Sequence, residues 1–174
     1  MRDLAIQMEI NAPSLYNAFG DKRALFVCAL DHYAARSMRA RIERLERLPP
    51  KEAINVFFAE LIRHSIDDPD RRGCMIVNSA LEISPHDRKL RAVIASYLGE
   101  IECFFLRCLE RASADSGIPA RVEPADTARL FLGIVLGMRV AARTKPERAL
   151  LEGMARPALA MLDSPKPARK KGQR

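Results

Sequence analysis

The chain has 174 residues, 48% of them hydrophobic, which is enough to bury a real core, and only 8 glycines. Its formal net charge of +7 is unevenly placed: residues 1–44 hold 7 basic and 5 acidic groups, residues 45–164 hold 17 of each, and residues 165–174 hold 5 basic and none acidic. A neutral body flanked by basic ends excludes a polyanion partner for the middle and directs any such partner to the N-terminal head or the tail.

In chain order, Arg2 to Met8 reads as a short helix with Leu4, Ala5 and Met8 on one face, ending at Glu9-Ile10. Asn11 caps a second short helix that has Ala12 and Pro13 in its first turn and Leu15 and Phe19 facing inward, and Gly20 stops it. Asp21 caps a longer helix that carries Leu25, Phe26, Leu30, Tyr33 and Met38 and runs to about Leu45, before Pro49-Pro50 breaks the chain. Ile54, Phe57, Phe58, Leu61 and Ile62 then give the stripe of an amphipathic helix, which ends before Asp67-Asp68-Pro69.

A short helix is expected from about Cys74 to Ile83, and Ser84-Pro85 is expected to open the longest one, whose inward face includes Tyr97, Ile101, Phe104 and Phe105. Beyond Pro124, Leu130 to Ala142 is apolar nearly all round, as in a helix buried on more than one side. That run contains Arg139 and is too short to span a bilayer, so no membrane association is expected. Pro146 is expected to begin a last helix bent at Pro157. The tail from Ser164 onward has nothing apolar to pack and reads as disordered.

Strand-like alternation is absent, so the fold class is all-α: a small N-terminal head over 1–45, a larger helical body over 46–164 and a basic tail over 165–174. Cys28, Cys74, Cys103 and Cys108 form no CxxC pair, which fits a reducing cytoplasm. His64 and His86 stand alone without a partner at metal-ligand spacing, and neither metal nor cofactor is expected. Cys74 follows Arg71-Arg72 at a helix start, a setting that favours a thiolate, although one unpartnered cysteine in a helix is more often inert packing.

Two short helices, a tight turn and basic residues just beyond them have the form of a helix-turn-helix. The string from Ile10 through Asn11-Ala12-Pro13-Ser14-Leu15-Tyr16-Asn17-Ala18-Phe19-Gly20-Asp21-Lys22 to Phe26 closely resembles the recognition helix and following helix start of the TetR/AcrR family. Arg72-Gly73-Cys74 to Glu82 is similar to a short body helix of many members. The resemblance implies a ligand-responsive, homodimeric transcription repressor that binds a palindromic double-stranded operator and releases it on taking up a small apolar effector. Asn11, Ala12, Pro13, Ser14 and Asn17 would then meet the bases, and Tyr16 and Lys22 the phosphates.

The family's architecture implies an effector pocket among Phe57, Phe58, Leu61, Met75, Asn78, Tyr97, Ile101, Phe104 and Phe105, apolar with few polar handles. It implies a dimer face on the last two helices, with Gly133, Gly137 and Ala141 allowing close approach and Leu151 and Met154 beside them.

Two departures stand out. Glu9 occupies the family's usual turn glycine, and the chain begins where the family's second helix begins. From the latter comes the expectation that Met1 is an internal methionine or that the gene is shortened, leaving Leu4, Ala5, Leu15 and Phe19 exposed. A ligand-binding dimer that no longer reads DNA is the competing expectation. A small helical enzyme is the other, but no nucleophile–base pair, metal cluster or phosphate loop can be placed.

Overall fold

The structure, a computed structural model, describes residues 1–115 and 117–163; the basic tail lies outside them. The head consists of α1 (Arg2–Gln7) and α2 (Ala12–Phe19), leading into α3 (Lys22–Tyr33). The chain continues from α3 without a break through a π-helical stretch, Ala34–Arg39, into α4 (Ala40–Leu45). The body adds α5 (Pro50–Ile66), α6 (Met75–Glu82), α7 (Arg88–Ala114), α8 (Pro124–Thr144) and α9 (Arg148–Ala160). All regular elements among the described residues are helical, as the composition requires.

Local chemistry sets the ends of these helices. The Asn11 side chain accepts from the Ser14 amide at 2.8 Å, and Asp21 accepts from the Ala24 amide at 2.8 Å, so α2 and α3 both start on side-chain caps. The longest helix starts later than Ser84-Pro85: Asp87 caps it through the amides of Lys89 and Leu90, while Ser84 bonds back to the Ser79 carbonyl and finishes α6. Likewise α9 begins at Arg148 with Glu147 as its cap residue, leaving Pro146 in the extended link, and it runs on through Pro157.

Between α1 and α2 the chain turns by a Schellman motif. The Ile10 amide bonds to the Ala5 carbonyl at 3.0 Å and the Glu9 amide to that of Ile6 at 3.1 Å. Closing that motif forces Glu9 to φ +55°, a left-handed conformation without a glycine to relieve it. The two short helices nevertheless cover more than the sequence suggests. Ala5 and Leu15 are buried and Phe19 is half-buried, while Leu4 remains exposed with Ile6, Met8 and Ile10.

The core lies in the body, where α7 packs against α5, α6 and α8, and α9 closes over α5 and α8. At its centre five phenylalanines from three helices interlock: Phe57 and Phe58 of α5, Phe104 and Phe105 of α7, and Phe131 of α8. Phe57 meets Phe105 edge-on at 4.9 Å between centroids, and Phe131 meets Phe58 and Phe105 edge-on at 5.6 and 5.3 Å. Each fully buried ring contributes about 1.5–3 kcal/mol, so this cluster is a main source of the body's stability. On α8, Phe131, Val135, Met138 and Ala142 face that core, but Leu130 and Val140 are 43% and 46% exposed, so the second apolar side of this helix is uncovered in the single chain.

Candidate nucleic-acid interface and ligand cavity

Burying Leu15 leaves the opposite face of α2 in solvent, where Pro13, Ser14, Tyr16 and Asn17 are exposed and Ala12 is half-buried. Ser14 has a double tie, because its hydroxyl also donates to Asn11 Oδ1 at 2.7 Å, and that fixes its position at the start of the helix. Gly20 closes α2 at φ +78° with its amide on the Tyr16 carbonyl, a backbone shape that suits glycine. Lys22 follows immediately as the first residue of α3 and is exposed.

A contact between residues far apart in the chain ties this head to the body. Arg23 Nη2 lies 2.7 Å from Asp87 Oδ2, at the cap of α7. Bonds from the Leu90 and Lys89 amides, with the Arg23 charge, hold the Asp87 carboxyl below its ordinary range.

A cavity of about 1270 Å³ opens between α3, the π-helical stretch, α4, α5, α6, α7 and α8. It brings together Phe57, Leu61, Met75, Asn78 and Ile101 from the residues expected at an effector site. Four others lie elsewhere. Phe58, Phe104 and Phe105 are sealed in the phenylalanine cluster at 0–1% exposure, because a helix stripe wide enough to reach two neighbours gives only one edge to the cavity. Tyr97 turns the other way, to a shallow depression shared with Asp31 and Arg39, where its hydroxyl is 3.4 Å from Asp31 Oδ1 and the Arg39 guanidinium lies over its ring.

The cavity is also more polar than expected. Tyr33, Arg41, His64, Cys74 and Arg139 all contribute to its wall. Arg41 is largely buried, bonds His64 Nδ1 at 2.8 Å and lies 3.5 Å from Glu60 Oε2. A guanidinium only donates, so His64 accepts there as the neutral ring, and burial together with the Arg41 charge holds its pKa down. Burial raises the Tyr33 pKa, with the neighbouring Cys74 acting in the same direction. Asn78 braces the rim by donating to the Arg72 carbonyl and accepting from Arg143 Nη1. Cys74 is half-buried at the cap of α6, whereas His86 is exposed in the turn before α7.

The residues expected at a dimer face separate into two groups. Gly133 is exposed with nothing within 4 Å of where a Cβ would stand, and Ala141 is half-buried. Gly137, in contrast, receives Met154 Cε of the same chain at 3.1 Å, and Leu151 is fully buried, so these three residues join α8 to α9 internally. The uncovered apolar surface on this side consists of Leu130, Val140, Leu150 and Met161. No helix among the described residues is long and apolar enough to cross a membrane.

A small capped reading head joined by one long helix to a hollow helical body defines a class of one-component transcriptional regulators. Comparison with known proteins agrees. Residues 50–157 match the family described as "Tetracyclin repressor-like, C-terminal domain". The HTH-type transcriptional regulator YezE of Bacillus subtilis (strain 168) is 33% identical over 144 residues, 78% of this chain and 74% of its own. The HTH-type transcriptional repressor ComR of Escherichia coli (strain K12) is 26% identical over 145 residues, covering 82% and 69%. Among solved structures, the TetR family regulator CifR, a cysteine variant complexed with 26-bp double-strand operator DNA, superposes with a TM-score of 0.79 at 30% identity, covering 90% of this chain and 82% of that one. The chain belongs to the TetR family of transcriptional regulators.

Proposed function

We infer that the chain works as a homodimeric, ligand-responsive DNA-binding regulator, a repressor whose recognition helix is α2 and whose effector occupies the body cavity. One relationship carries this reading: the helix that begins at Lys22, directly after the exposed face of α2, continues as the helix whose Tyr33 and Arg41 wall the cavity. A change in the cavity is therefore delivered along a rigid rod to the reading head.

In this mechanism Ala12, Pro13, Ser14 and Asn17 meet base edges, with Asn11 holding the turn, and Tyr16 and Lys22 grip phosphates. Lys22 adds its charge at a helix N-terminus whose free amides already favour an anion. The uncovered apolar face around Gly133, Leu130, Val140 and Leu150 pairs with its copy. That pairing sets two recognition helices about 34 Å apart over a palindrome. An effector that favours any other spacing releases the DNA. The operator complex of CifR supports the DNA partner.

Fluorescence anisotropy with labelled DNA from the region flanking the protein's own gene tests the reading. The expected result is saturable binding at least tenfold tighter than to a scrambled duplex. Equal affinity for both duplexes would rule it out.

A further inference from the structure

The cavity holds a positive charge that the chain itself does not neutralise. Of the carboxylates on its wall, Glu60 pairs with Arg41 and Arg44, at 3.5 and 2.7 Å, Asp68 pairs with Arg72 at 3.1 Å, and Glu82 lies 3.7 Å from Arg143. Asp67 is exposed at the rim. Arg139, half-buried on α8, forms no ion pair among the described residues; its only side-chain hydrogen bond among them is a long one, 3.5 Å from Nη1 to the hydroxyl of buried Ser65.

Its field reaches three neighbours in the same space. It opposes the charge on Arg41, opposes protonation of His64 and eases ionisation of Tyr33. Six arginines line the cavity, but Arg36, Arg44, Arg63 and Arg72 are exposed and water offsets their charge; of the two that are partly shielded, Arg41 and Arg139, only Arg41 has a carboxylate beside it. Such an arrangement costs free energy when empty and lowers it when an anion enters. Phe57, Leu61, Ile101 and Leu136 supply an apolar part of the wall.

We propose that the effector is a carboxylic acid with an apolar body, its carboxylate held by Arg139 and Arg41 and its body lying against Phe57, Leu61 and Ile101. Arg139, the one partly shielded guanidinium of the wall without a carboxylate, is matched by a single negative charge, which a carboxylate supplies. The planar fork of a guanidinium also matches a carboxylate in two parallel bonds. Because Arg139 stands on α8 and Arg41 on α4, the carboxylate joins the dimer-side helix to the rod that carries the reading head. The proposal rests on reading the chain as a ligand-responsive regulator and specifies what that ligand is.

Calorimetry on the whole chain, without DNA, with benzoate, phenylacetate and octanoate, each against its own primary amide, decides the matter. At least one acid is expected to bind tenfold or more tighter than its amide. Arg139→Met should cost that acid roughly ten- to hundredfold in affinity and leave the amide unchanged, with Arg139→Lys in between. Should Arg139→Met fail to fold, the acid-against-amide comparison still stands in the unaltered protein. Amides binding as well as their acids, an Arg139→Met variant with undiminished affinity for the acids, or octyl phosphate binding where no acid does would each overturn the proposal. Adding the DNA to the same samples separates the two readings: a protein that takes the acid but ignores DNA keeps its carboxylate site and fails as a regulator.

Discussion

Arg39 grips Glu100 with two parallel bonds, Nε to Oε2 and Nη2 to Oε1, each 2.8 Å, while its third nitrogen reaches Asp31 Oδ1 at 2.7 Å. Arg39 lies at the end of the π-helical stretch and Glu100 in the middle of α7, so the clamp fastens the rod to the body. The group is partly exposed, and Arg39→Met should lower the melting temperature by only about 2–4 °C. Its larger effect is expected on DNA affinity, which falls several-fold once the rod is free to tilt. Unchanged DNA affinity in the anisotropy titration would mean the clamp does not set the rod's position.

The same clamp gives an acid signature. The bond from Arg39 leads the effects that hold the Asp31 carboxyl below its ordinary 3.8. A depressed folded value contributes stability that is fully present above pH 3.8 and is lost as the pH falls through the lower folded value. Melting curves of Arg39→Met and the unaltered chain should therefore differ at neutral pH and draw together progressively as the pH falls below about 3.8. A gap that persists undiminished at low pH would contradict this assignment.

Lys22→Ala should weaken binding to every DNA sequence and flatten the slope of log affinity against log salt by about one. A salt titration reads this directly. An unaltered slope would remove Lys22 from the phosphate contacts.

At Glu9 the backbone sits at φ +55° because the Schellman turn requires it. Glu9→Gly should relieve that strain and stabilise the head by about 0.5–1 kcal/mol, less than the full left-handed cost because glycine gives the unfolded chain more freedom. Amide exchange of Leu15 and its neighbours should slow. Faster exchange in the variant would mean the side chain of Glu9 has a stabilising role that outweighs its backbone.

Gly133→Glu introduces a charge where the single chain has open space. The helical content and cavity should survive while sedimentation shifts from dimer to monomer and DNA affinity falls. A variant that remains dimeric would place the interface elsewhere.

Among the thiols, burial pushes Cys108 up to about 11, while Cys28 and Cys103 are exposed. At pH 8 a maleimide should modify Cys28 and Cys103 first and Cys108 last, as read by mass spectrometry of the peptides. Early modification of Cys108 would show that α7 opens readily from the core.

The parts legible in the sequence share a physical reason. Asn11 capping α2, Asp21 capping α3 and the stripe of α5 each depend on residues three or four apart, and a sequence presents those side by side. Ser84 misleads because it competes for two roles, and the Ser79 carbonyl behind it wins over the helix ahead. The cavity is legible only in part for a different reason. Periodicity marks Phe57 and Phe58 as inward without revealing which neighbour each one meets, and it hides Arg139 because a basic residue in an apolar run reads as the solvent side. The Arg23–Asp87 and Arg39–Glu100 contacts join residues more than sixty positions apart, for which no local pattern exists.

The rod that joins head to body is wound more loosely between Ala34 and Arg39, where the Ala40 amide reaches back five residues to Ala35 instead of four. In an ordinary helix each residue advances the chain by about 100° around the axis. A wider turn consumes extra chain for the same rotation, so it acts as a phase shift between what lies on either side. The compass bearing of α2 relative to the body is therefore set in part by the winding of these six residues, and lengthening or shortening the stretch by a single residue would turn the exposed face of α2 to a different side of the molecule.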